Sequence, residues 1–227
     1  MSSSTADGSG PLPIVVLLSG AGSNFAAIAA AAAVARLPVS IRAVLSDRPA
    51  AAGLVKARAL GLTAEALAPG GYADAGAYDA ALAARIAEFQ PQLVVLAGYM
   101  RVLSSPLVAK YSGRMLNIHP SLLPALPGLH THRRALAAGA TWHGCSVHFV
   151  SEKLDGGPLI AQARVPVLAG DTEAGLAARV QAREHVLYPL VIGWFASGRL
   201  RLERDRVLLD ERVLERPVVL EETHAGT

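Results

Sequence analysis

An amide and an imidazole two residues apart stand out first: Asn117 and His119, within Met115-Leu116-Asn117-Ile118-His119-Pro120-Ser121-Leu122-Leu123-Pro124. Apolar residues alternate with them and two prolines follow, which predicts a strand that stops at the rim of a sheet. Side chains two apart on a strand point the same way, so both can face one small volume. An asparagine can donate a hydrogen bond to an oxyanion, and a histidine can hold or pass a proton near neutral pH. Together they suit attack on a carbonyl. The plainer reading is a strand end whose two polar residues are tied up locally.

Three further groups carry possible chemistry. Ser19-Gly20-Ala21-Gly22-Ser23-Asn24 lies between an apolar run and an alanine-rich segment; strand, glycine turn and helix form an arrangement whose free amides can hold a phosphate, although such turns also serve pure packing. Asp155, in Ser151-Glu152-Lys153-Leu154-Asp155-Gly156-Gly157-Pro158, is either a turn former or a carboxylate facing a site. Glu184 falls on the apolar stripe Leu176, Val180, Leu187, Val191, Trp194 of the last long helix. A carboxylate on a buried face needs a partner; Arg179, Arg183 or a substrate amine or hydroxyl would serve. Nearby basic residues in Leu129-His130-Thr131-His132-Arg133-Arg134 read as a solvated helix start.

The elements that must position these groups follow a βαβ rhythm. Apolar runs without alternation over 13–18 and 93–98 predict strands covered on both faces, as in a parallel sheet. Helices are expected over 26–35, 51–60, 75–89 and from Asp171 or Thr172 to about Ser197, the last with a kink at Pro189 and an end at Gly198. Strands are expected over 40–46, 63–67, 143–150 and 159–167, the last two pairing as an antiparallel extension, with Cys145, Val147 and Phe149 on one face of their strand and Ser146 and His148 on the other. Residues 200–220 suggest a small hairpin. The fold class expected is α/β: a doubly wound, mostly parallel, Rossmann-like sheet with helices on both faces. Ligands bind such sheets at the C-terminal ends of the strands, where Tyr99-Met100-Arg101-Val102-Leu103 emerges. The organisation expected is a disordered leader over 1–12, one α/β domain over 13–200, and a C-terminal hairpin and tail of the same domain over 201–227.

The 227 residues are 52% hydrophobic and 17% charged, ample for a buried core. A net charge of +3 and a pI near 9.3 lean basic, but no run of Lys or Arg marks a nucleic-acid track. The single Cys145 cannot form an intramolecular disulfide and suits a reducing, cytoplasmic setting. No secretion signal is visible, and the alanine-rich block falls well short of the roughly 20 residues of a membrane span. A small anionic substrate fits this profile, with no nucleic acid and no membrane as partner.

Taken together, the motifs resemble the folate-dependent phosphoribosylglycinamide formyltransferase family. Asn117-Ile118-His119-Pro120-Ser121-Leu122-Leu123-Pro124 resembles the formyl-transfer signature, and Pro127-Gly128-Leu129-His130-Thr131-His132 is similar to the branch acting on glycinamide ribonucleotide. The likeness runs from about Ile14 to Leu200 and takes in the glycine turn, Leu96-Ala97-Gly98-Tyr99-Met100-Arg101, Leu154-Asp155-Gly156-Gly157-Pro158 and Glu184-His185. It implies the formyltransferase fold, with Asn117, His119 and Asp155 as catalytic residues. Substrate contacts fall on Gly22, Ser23, Asn24, Pro120 and Glu184. The folate pocket falls on Met100, Arg101, Val102, Leu103, Asn117, Ser151, Glu152, Lys153, Leu154 and Asp155. The co-substrate implied is 10-formyltetrahydrofolate, without a metal, in a monomer or homodimer. Direct attack by the glycyl amine would form a tetrahedral oxyanion held by Asn117 and protonated His119, whose charged form Asp155 would favour.

Ala75 departs from the pattern, since some relatives carry there a basic residue that helps bind the folate tail or the substrate. The leader before Pro13 has no family counterpart. The rivals are a formyltetrahydrofolate hydrolase, expected to carry an extra N-terminal domain, a methionyl-tRNA formyltransferase, expected to carry a C-terminal RNA-binding domain, and a non-catalytic folate or nucleotide sensor on the same scaffold.

Overall fold

The computed structural model describes residues 10–220; most of the expected leader and the tail after Leu220 lie outside them. Aliphatic runs build the central strands. β1 (Leu12–Leu18), β2 (Val39–Ser46), β3 (Ala64–Ala66), β4 (Leu93–Leu96) and β5 (Met115–His119) are mutually parallel. β4 is buried along its whole length and β1 from Val15 onward has no exposed position, as a sheet covered on both faces requires. β6 (Trp142–Phe149) pairs antiparallel with β5 and with β7 (Leu159–Pro166), and β11 (Val218–Leu220) adds to β7 in parallel. The order is β11-β7-β6-β5-β4-β1-β2-β3. Among the described strands of this sheet, β6 alone runs against the rest.

Helices α1 (Ser23–Ala33), α2 (Ala52–Ala59) and α6 (Glu173–Ala196) bury Phe25, Ile28, Leu54, Val180 and Leu187 on one face of the sheet; α3 (Ala75–Glu88) and α4 (Ser105–Lys110) bury Tyr78, Leu82, Ile86 and Leu107 on the other. α5 (Thr131–Ala137) follows the loop after β5. Caps set the starts: Asp74 accepts from Ala77 N at 2.7 Å and Thr172 from Gly175 N at 3.1 Å. α1 starts at Ser23, three residues before the alanine block, so the glycine turn itself forms the helix entry. α6 runs unbroken through Pro189 and ends before Gly198, whose φ is 72°. Tyr188 holds it to the sheet, its hydroxyl lying 2.9 Å from both Leu96 O and Leu116 O.

The expected C-terminal hairpin is a three-stranded antiparallel meander, β8 (Leu200–Glu203), β9 (Arg206–Leu209) and β10 (Arg212–Val213), after which β11 returns to the large sheet. Two short runs and tight turns read alike as hairpin or meander in one dimension. Among the described residues no helix is long and apolar enough to cross a membrane.

The chain leaves β1 for β2 and β3 on one side and returns to β4 and β5 on the other, so a crevice opens where β1 and β4 end. The glycine turn lines that switch point and packs tightly. Gly22 has φ 67°, and a methyl placed there would stand 2.7 Å from Gly53 Cα of α2. Gly22→Ala combines left-handed strain with a backbone clash and is expected to cost about 2–4 kcal/mol. Urea unfolding checks this; a midpoint unchanged from the parent protein would show that turn and helix separate freely.

Candidate active site

The end of β5 meets the reversed strand β6 in a register that pairs Asn117 with His148 and His119 with Ser146. Asn117 Nδ2 lies 3.1 Å from His148 Nε2, while His148 Nδ1 lies 2.8 Å from Phe149 O. The backbone carbonyl can only accept, so Nδ1 carries the proton and Nε2 accepts from the amide. Burial holds His148 below the ordinary imidazole range, which keeps this neutral acceptor. One N–H of Asn117 is therefore committed and the other remains for a ligand.

His119, 6% exposed, has its Nδ1 3.4 Å from Asp155 Oδ2 and its Nε2 3.0 Å from Leu126 O. Leu126 O can only accept, so Nε2 carries a proton, and Asp155 faces the other ring nitrogen at an ion-pair distance. Asp155 combines the two roles considered for it. Its φ of 48° is that of a turn former, and its carboxylate reaches His119, accepts from Gly128 N at 2.8 Å and comes within 4.0 Å of His148 Nε2.

Two adjoining clefts share Asn117, Leu154 and Asp155 as a wall. One is lined by Tyr99, Arg101, Val102, Leu103, His148 and residues 150–155; the other by residues 98–102, His119, Pro120 and residues 128–132. Met100 borders only the second of these, with its side chain largely in solvent.

Gly22, Ser23, Asn24 and Glu184 line neither cleft and form a neighbouring group. Asn24 Nδ2 donates to Glu184 Oε2 at 2.8 Å across 160 residues of sequence. Burial raises the Glu184 carboxyl above its ordinary range and this hydrogen bond partly offsets it. The partner of Glu184 is thus Asn24. Arg179, proposed for it from sequence, is bound to Asp171, and Arg183 donates to Leu220 O; residues one and five apart on a helix do not share a face, so helical spacing already argues against either as the partner. Gln181, unnoticed in the sequence, donates to Ser23 Oγ at 3.1 Å.

His132 also departs from the expected solvated helix start. Its ring meets that of His143 edge-on, with Nδ1 and Nε2 3.1 Å apart. Burial and the neighbouring imidazoles push His143 down to about 4, and burial also lowers His132. His148 went unselected although the alternation over 143–150 already put it opposite Cys145, Val147 and Phe149; its register against Asn117 is the missing element. Among the described residues, no group of three or more His, Cys, Asp or Glu stands together as a metal site.

A formyl transferase family model matches residues 12–192. The chain is 52% identical over 197 residues to the phosphoribosylglycinamide formyltransferase of Escherichia coli, covering 87% of this chain and 93% of that protein. It belongs to the phosphoribosylglycinamide formyltransferase family. The solved structure of the Coxiella burnetii phosphoribosylglycinamide formyltransferase superposes with a TM-score of 0.89 at 46% identity, over 92% of this chain and 99% of that one. A formyltetrahydrofolate deformylase from Burkholderia mallei superposes at 0.79 with 26% identity, over 88% and 70%. The mostly parallel sheet with a small C-terminal antiparallel sheet is thus the formyltransferase fold, and the chain is a formyl-transferring enzyme of a family that uses a formyl-folate as co-substrate.

The buried imidazoles set an acid limit on stability. His132, His143 and His148 lie below the ordinary value of 6.5 in the folded state, so below 6.5 the unfolded chain binds more protons than the fold. Their contribution is complete above pH 6.5 and is lost as pH falls toward about 4, where folded His143 titrates. Glu184, raised, acts in the opposite direction: its contribution is present below 4.5 and lost as pH rises. With His185 also lowered by burial, four imidazoles stand against one carboxyl, and the thermal midpoint is expected to fall between pH 6.5 and 4, less steeply in His143→Gln. A flat midpoint across that window contradicts the assignment.

Proposed function

We propose that the chain transfers the formyl group of 10-formyltetrahydrofolate to the glycyl amine of N1-(5-phospho-D-ribosyl)glycinamide, giving the N2-formyl product and tetrahydrofolate in purine synthesis. The observation that carries the reading is that Asn117 and Asp155 line both clefts and His119, which lines the second, lies against Asp155, within a chain closely similar to phosphoribosylglycinamide formyltransferases.

The amine nitrogen attacks the formyl carbon and the carbonyl becomes a tetrahedral centre with a negative oxygen. The free N–H of Asn117 and a protonated His119 stabilise that oxygen. In the unliganded arrangement His119 Nε2 faces Leu126 O, so donation from Nε2 to substrate exchanges that bond for one to the developing charge. Asp155 Oδ2 lies 3.4 Å from His119 Nδ1 and orients the ring. Collapse breaks the bond from the formyl carbon to the folate nitrogen, and the proton lost by the amine reaches that nitrogen through His119 or a water held by Asp155. Gly22, Ser23 and Asn24 bind the substrate phosphate, with Pro120 and Glu184 on the ribonucleotide. Met100, Arg101, Val102, Leu103, Ser151, Glu152, Lys153 and Leu154 hold the folate with Asn117 and Asp155. The same reading makes the protein a cytoplasmic monomer or homodimer acting on small molecules, with neither metal nor nucleic acid. It also keeps one α/β domain over 13–200 with a C-terminal appendage of that domain; Leu12, placed in the expected leader, belongs to β1.

Tetrahydrofolate release from 10-formyltetrahydrofolate, followed with and without glycinamide ribonucleotide, tests this. Release that depends on the acceptor is expected; acceptor-independent release would identify hydrolysis, and none at all a sensor. Asn117→Ala and Asp155→Asn, checked for intact fold, are each expected to lower kcat on the order of a hundredfold to a thousandfold. Near-normal turnover in either removes that residue from the chemistry.

A further inference from the structure

The wall formed by residues 99–104 is held from outside the clefts. It leaves β4 at Gly98 (φ 79°) and has no regular structure until α4 begins. Met100 and Val102 are 54% and 65% exposed, so these side chains do not anchor it in the core. Tyr99 and Leu103, each 8% exposed, pack into the core beside α3, and polar bonds hold the two ends as well. Met100 N donates at 2.8 Å to Ser19 Oγ, which itself donates to Asp47 Oδ1 at 2.5 Å. At the far end Ser104 N donates at 2.6 Å to Oδ2 of Asp79, a carboxylate only 4% exposed. Its other oxygen, Oδ1, is buried without a hydrogen-bond partner among the described residues. Between these ends Tyr78, the residue before Asp79 on α3, places its hydroxyl 2.7 Å from that of Tyr99 and its ring 4.5 Å from the Arg101 guanidinium.

We infer that Tyr78 and Asp79 of α3 form a clamp that sets the shape of this wall, and that Asp79 is a positioning residue for the folate co-substrate. The inference rests on the assignment of residues 100–103 to the folate pocket. Asp79 itself lines neither cleft and acts only through the peptide it holds. A buried carboxylate with a single backbone donor is costly to keep for stability alone, since an apolar residue of similar volume would carry no desolvation penalty. Asp79 holds the Ser104 end of the wall, opposite the end that Met100 N ties to Ser19 of the glycine turn, so its loss is expected to act first on the folate contacts.

Steady-state kinetics with each substrate varied in turn tests the clamp. Asp79→Ala is expected to raise KM for 10-formyltetrahydrofolate about tenfold, the scale of one lost hydrogen bond to a charged group, while kcat and KM for glycinamide ribonucleotide stay within about twofold. Asp79→Asn, whose amide oxygen still accepts from Ser104 N, is expected to recover most of the loss. Should Asp79→Ala fail to fold, Ser104→Pro decides, because it deletes the donor at a residue whose φ of −70° and ψ of 153° proline adopts. It is expected to reproduce the folate-selective rise in KM. An unchanged folate KM, an equal rise for both substrates, or a fall in kcat at constant folate KM overturns the clamp. A folded, unmodified chain without acceptor-dependent release would instead remove the functional reading beneath it.

Discussion

The pairing of β5 with a strand running against it is the constraint on which the site depends. In a wholly parallel sheet the neighbour of β5 would present its own C-terminal loop at the crevice. Because β6 is reversed, the middle of a strand stands beside Asn117 and His119, and its side chains are held by ladder bonds on both edges. His148 thereby meets Asn117, and Ser146 stands opposite His119. The turn from β6 to β7 leaves beside Met115, at the start of β5, and folds back over the face that carries Asn117 and His119, bringing Asp155 to the imidazole. Glycine makes that turn possible: a side chain at Gly157 would run into the carbonyl oxygen of Phe149.

Burial then dictates partners. Polar groups removed from water cost free energy unless bonded, and the rim residues answer this by bonding to one another across long sequence separations. Ser146 Oγ donates to Ser121 O and accepts from Leu123 N, while Gln162 Nε2 reaches both Ser146 Oγ and Leu123 O. This buried network fastens the start of the loop after β5. Further along the same loop, Leu126 O meets His119 and Gly128 N meets Asp155. The loop is thus tied to both ends of the imidazole–carboxylate pair, so its position and the state of that pair are coupled.

Much of this was legible in one dimension. Uninterrupted aliphatic runs over β1 and β4 read as doubly covered strands because only a buried parallel sheet tolerates them. Asn117 and His119 read as co-facial because strand periodicity leaves no other choice, and Glu184 read as needing a partner because helix periodicity put a charge on an apolar stripe. Residues 200–220 were less legible: short β-runs between tight turns do not encode how many strands pair or which sheet they join, and β11 docks on β7 only after 51 residues of intervening chain.

The sequence by itself determined the α/β class, the strand that ends in Asn117 and His119, the glycine turn at the first helix, and the motifs that tie the chain to formyl transfer. Those properties are set by local periodicity and backbone chemistry. Tertiary structure alone decided the partners: Asn24 for Glu184, His148 for Asn117, Asp155 for His119, Asp79 for Ser104. Each of these bonds joins residues at least 25 positions apart. Their geometry depends on strand order, register and the direction of β6, which no local pattern specifies.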